Sequence, residues 1–136
     1  MKRSILVPLF VCTALGLLTL AATAATVLPF PVKVGGKAAV LAKDSDVVAV
    51  IADPVAADAE LEAGVASNIP MVIINAFPSD ATGTVKDGAS PFIILAQNTN
   101  KVKISATMEG KPLAPGYYVL NIVAANDTAR VLLQVK

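Results

Sequence analysis

The stretch YYVLNIVAANDTARVLLQV, residues 117–135, decides the fold. It reads as two strands, Tyr117 to Ala125 and Ala129 to Val135, joined by Asn126, Asp127 and Thr128. Branched and aromatic residues fill both arms, and short polar residues that favour turns lie between them. Strands this close in sequence point to antiparallel pairing, because a parallel return needs a long crossover.

Upstream of it, the segment Leu113-Ala-Pro-Gly-Tyr-Tyr-Val-Leu-Asn-Ile122 resembles the L-x-P-G-x-Y-x-L-x-V/I entry to a late strand of immunoglobulin-like and fibronectin type III-like sandwiches. The resemblance covers about ten residues and implies a fold class, with no activity attached. In those families the tyrosine forms a corner, its hydroxyl bonding to upstream backbone. Tyr118 stands at that place, with Leu120 and Ile122 as its inward neighbours. The chain departs from the antibody-type pattern in having no cysteine pair and no tryptophan.

Further upstream, short strands alternate with turn signals. Lys101 to Met108 alternates. Val102, Ile104, Ala106 and Met108 are expected on one side, and Lys101, Lys103, Ser105 and Thr107 on the other. Phe92 to Gln97 and Met71 to Phe77 are apolar strands, and Met71 and Met108 read as core. The polar stretch 79–90 is a long loop or a loose hairpin. Val47 to Ala52 and Lys37 to Ala42 are strand-like, with the turn 43–46 between them. Gly35-Gly36 is a turn. Residues 54–63 carry helix signals: Asp53 as N-cap, Pro54 at the first position, alanines among acidic residues, and Gly64 as a stop. The whole predicts an all-β chain, an antiparallel immunoglobulin-like sandwich of about seven or eight strands, with one short helix near 54–63.

Residues 1–24 read as a secretory signal peptide. Lys2 and Arg3 form the basic start, Ile5 to Leu20 the apolar run, and Ala22-Thr23-Ala24 the cleavage site. The alternative is an uncleaved anchor, which would be the chain's only membrane contact. The expected location is secreted, periplasmic or at the cell surface. Cleavage after Ala24 removes Cys12, so the domain must hold together by packing or assembly rather than disulfides. At about 110 residues one packed core is feasible. Residues 25–34 are then an extended N-terminal arm or first edge strand, because Pro29 and Pro31 cannot donate to a ladder. Residues 35–136 form a single β-sandwich domain.

Composition excludes more than it identifies. The 136 residues include no histidine, 11 Lys+Arg and 10 Asp+Glu. A near-neutral charge lacks the basic footprint of nucleic-acid binding. Without histidine the commonest general base and metal ligand are missing. No serine sits in a nucleophile elbow or an S-x-x-K motif. Asp44 and Asp46 lack the glycine and closing glutamate of a calcium loop. Glu60 and Glu62, placed on a helix, would not face each other. No enzyme, no catalytic residue, no cofactor and no metal are expected.

Only 15% of residues are charged, against about a quarter in soluble domains. That balance means either small surface side chains or an apolar surface that another molecule covers. The expected function is a non-enzymatic structural or adhesive β-sandwich whose partner is protein, itself or another surface protein. In its strongest form the chain self-assembles into a filament or surface layer through the arm residues Val27, Leu28, Phe30, Val32 and Val34, added as a strand to a neighbour's sheet. The alternatives are that the arm is the first strand of its own sandwich, that loops 78–90 and 109–116 bind a small ligand or partner, or that the chain is an accessory subunit.

Overall fold

The computed structural model describes residues 27–43 and 46–136. The expected signal segment, with Cys12 and the expected cleavage site, lies outside the described residues, as do Asp44 and Ser45. Among the described residues there are nine strands and no helix. The strands are β1 (Val32–Val34), β2 (Lys37–Ala38), β3 (Ala49–Val50), β4 (Glu60–Ala63), β5 (Met71–Ser79), β6 (Phe92–Gln97), β7 (Lys101–Lys103), β8 (Gly116–Ala124) and β9 (Asp127–Val135).

They form two sheets. The smaller has the order β2-β1-β4-β7 and the larger β3-β9-β8-β5-β6. All pairings between these strands are antiparallel except β3 with β9, which run parallel through Ala49–Val131 and Val50–Leu132; the isolated bridge of Val55 to Val135 is parallel too. Gly35 and Gly36 both take positive φ, 61° and 79°, in the two-residue turn between β1 and β2. Such turns demand left-handed backbone at both centres, which glycine adopts without penalty.

Alternation along the strands builds one core from both sheets. Val32, Val34, Leu61 and Ala63 come from the small sheet. Ile74, Ala76, Leu120, Ile122, Val131 and Leu133 come from the large one, and all are buried in a single cluster. The buried amide of Asn100 ties the crossing between sheets to the end of β4. Its nitrogen donates to the Ala63 and Val65 carbonyls at 2.9 and 3.1 Å.

The two sheets are joined at both sides. Beyond β2, Val40 and Val50 exchange backbone hydrogen bonds of 3.0 and 2.8 Å, linking the small sheet's edge to β3. Beyond β7, Thr107 bridges Ile94 and the Met108 amide donates to the Ile93 carbonyl at 2.7 Å. Each sheet edge therefore meets the other sheet's edge, which leaves little unpaired ladder to offer another chain.

Several expectations are corrected. Residues 54–63 form no helix. Val55 is fixed to β9, donating to the Gln134 carbonyl and accepting from Lys136. Glu60–Ala63 is a strand held on both sides. Ala59, Leu61 and Ala63 are buried, with Glu60 and Glu62 turned outward between them, so a period of two overrides the local helix signals. The strand expected to reach Met108 ends at Lys103. The Ala106 amide then turns back on the Lys103 carbonyl, which moves the chain onto β6 and shifts its alternation. Ile104 and Thr107 point inward, while Ala106 and Met108 are exposed. Neither Met71 nor Met108 is core: they are 36% and 65% exposed. Strand β5 runs through Pro78 to Ser79, which is possible because β6 stops opposite Ala76 and demands no further donor on that side.

Candidate association face

The outer faces of the two sheets differ in chemistry. On the small sheet, Lys33 lies opposite Glu62, Glu62 opposite Lys101, and Glu60 opposite Lys103. This charged ladder is a wet surface, and opposite charges placed across strands are mildly stabilising. Glu60 and Glu62 thus share one face, as a strand requires and a helix would not allow.

On the large sheet the outer side chains are those between the buried Val72, Ile74 and Ala76 of β5 and their register partners. One row across the sheet is Leu95, Ile73, Val123 and Thr128. The next is Ile93, Asn75, Asn121 and Arg130. The third is Phe77, Val119, Leu132 and Val50. Tyr117 and Gln134 follow. These rows contain one charged residue, Arg130, and no acidic one.

The middle of the third row is covered by the chain itself, while Val50 at its end is 37% exposed. Val119 is fully buried and Leu132 nearly so, although both point away from the core. The loop after β5 folds over them. A methyl group at Gly83 would stand 3.5 Å from Val48, 3.7 Å from Leu132 and 3.9 Å from Val119. Gly83 has φ +90°, so it supplies both the backbone shape and the close approach. Asp80 shapes this loop. Its Oδ1 accepts from the Thr82 and Thr84 amides at 2.9 and 3.0 Å and from the Thr82 hydroxyl at 2.6 Å. Those donors, the Thr82 hydroxyl foremost, hold its carboxyl below the usual range.

The first row, with Ile93 beside it, is less enclosed. Ile73, Ile93, Leu95 and Val123 are half-buried, and Met71 beside them is exposed. Through the patch runs a polar line. The Arg130 Nε donates to Asn121 Oδ1 at 3.3 Å and its Nη1 reaches the Val47 carbonyl at 3.4 Å. The Asn75 carboxamide has no hydrogen-bond partner among the described residues.

No family model, curated protein or solved structure matches this chain.

The residues marked in the sequence are placed as follows. Val32 and Val34 are buried in the chain's own core, and β1 lies between β2 and β4 rather than at an edge. Phe30 is buried and Leu28 packs against the same core. Val27 accepts a 2.8 Å hydrogen bond from the Arg130 amide. The Tyr118 hydroxyl donates to the Ala114 carbonyl at 2.8 Å, and its ring meets Phe92 edge-on at 6.4 Å. Lys101 and Lys103 face Glu62 and Glu60, and Thr107, expected beside them, is buried. Asp46 accepts from the Ala42 and Lys43 amides, as a turn residue does. Among the described residues, no group of three or more carboxylate, histidine or cysteine residues is placed to hold a metal.

Sequence reasoning missed the outer apolar rows. The signal was there: MVIINAF and FIILAQ are apolar at both parities, so each strand has an apolar second face.

Proposed function

We propose that this chain is a secreted or cell-surface, non-enzymatic protein with a structural or adhesive role, and that it works by associating with protein through the outer face of its five-stranded sheet. The observation that carries this reading is the contrast between the two outer faces. One has a lysine–glutamate ladder, while the other has Ile73, Ile93, Leu95 and Val123. Both would face water equally in a solitary domain, and apolar patches left open on a soluble surface mark association sites.

The fold is read as an immunoglobulin-like sandwich. The Tyr118–Ala114 bond, at the entry to β8, and the parallel β3 beside β9 support that reading. The N-terminal arm is not the preferred contact, because its larger side chains lie in this chain's own core and its strand has a neighbour on each side.

A photoreactive residue placed at Leu95, and separately at Lys33, tests the face in cells that make the protein. The reading predicts protein adducts from position 95 and none from position 33. Equal labelling from both, or none from position 95, would overturn it.

A further inference from the structure

We propose that the molecule covering this face is a second copy of this chain, paired sheet to sheet about a two-fold axis near Asn75. The proposal rests on the reading of the face given above and names its partner. Two observations favour a copy over a different protein, and a third sets the size of the contact.

The first is charge. A face meant for a charged partner carries complementary charges, yet Arg130 is the single charge in the rows, and it is held by Asn121 and the Val47 carbonyl. Two copies can therefore meet without an unpaired acid or a repelling pair at the centre.

The second is Asn75. Its half-buried carboxamide lacks a partner among the described residues and sits between Ile73 and Phe77. A carboxamide carries both donor and acceptor. It can therefore pair with its own copy across a two-fold axis, where a lysine or glutamate cannot. An isologous contact needs that self-complementarity.

The third is area. The nine-residue strands β5, β8 and β9, with β6, span about 30 Å by 20 Å, on the order of 600 Å² in plan. The loop around Gly83 covers roughly a third, leaving about 400 Å² on each copy and about 800 Å² in total, at the low end of weak, reversible interfaces. Addition through strand edges competes poorly, because both pairs of edges meet in the seams at Val40–Val50 and Ile94–Thr107.

Light scattering of the purified, processed protein over a concentration series tests this. The expected mass rises from one chain toward two between about 1 µM and 1 mM and goes no further. Asn75→Asp, nearly isosteric, places like charges on the axis and is expected to raise the midpoint at least tenfold at neutral pH. Leu95→Lys should do the same, and Lys33→Glu, on the other sheet, should leave it unchanged. Circular dichroism melts establish that each variant is folded. A one-chain mass at every concentration, a midpoint unmoved by Asn75→Asp in folded protein, or a mass beyond two chains would each overturn the proposal. The face itself is judged separately: adducts from position 95 at a mass other than two chains would uphold the association face while rejecting the copy as its occupant.

Discussion

The Tyr118 hydroxyl donates to the Ala114 carbonyl at 2.8 Å, closing the turn that feeds β8 from only four residues away. Burial raises the pKa of this phenol above its ordinary 10.0, and the bond to Ala114 offsets part of that. The neutral form is therefore favoured in the fold. Its contribution is whole below about pH 10 and is lost as pH rises through the higher folded value. Thermal unfolding from pH 8 to 11 should show this loss. Tyr118→Phe should cost about 1 kcal/mol at pH 8 and flatten the alkaline limb relative to wild type.

Ala125 holds φ at 57° in the two-residue turn between β8 and β9. A left-handed alanine is strained by about 1–2 kcal/mol, and glycine is free of that strain. Ala125→Gly should raise stability by up to about 1 kcal/mol, after the unfolded chain's added freedom is subtracted. Chemical denaturation with an unchanged slope would measure it.

Gly64 ends β4 against Pro31. A methyl group there would lie 2.8 Å from the proline Cδ and 3.0 Å from its Cβ and Cγ. The ring is stiff, and Gly64 donates to the Pro31 carbonyl at 2.7 Å, so neither partner can easily withdraw. Gly64→Ala should destabilise by about 1–3 kcal/mol, read as a lower denaturation midpoint.

Asp80 organises the loop that covers Val119 and Leu132. Its carboxyl titrates below the ordinary 3.8, so its loop bonds are complete above that value and are lost as pH falls through the lower folded one. Asp80→Ala should reduce amide-exchange protection at Thr82 and Thr84. It should also increase binding of an apolar fluorescent dye as Val119 and Leu132 are uncovered. Unchanged protection at both amides would show that the loop closes without it.

The strands near the C-terminus were legible from sequence because their order is local. Phe92–Gln97 and the pair around Asn126 need only alternation and turn residues to be read. The 54–63 segment was misread because Asp53, Pro54 and Gly64 are local helix signals. Its strand state depends on β1 and β7, each more than twenty-five residues away, and on Val55 docking against Gln134. The shift at Ala106 was hidden for the same reason: it arises where the chain leaves one sheet for the other. The apolar outer face was concealed by its own strands, since a run such as MVIINAF looks like core on both sides until register assigns one side outward.

The proposed pairing of two copies buries Ile73, Ile93, Leu95 and Val123 in the contact. Its most direct test is methyl NMR with a soluble paramagnetic agent, recorded from dilute to concentrated protein. Pairing through this face lowers the agent's attenuation of these four residues as concentration rises, while the exposed Val40 methyls stay as accessible as before. Attenuation that stays constant at all four, or that falls equally at Val40, would contradict it.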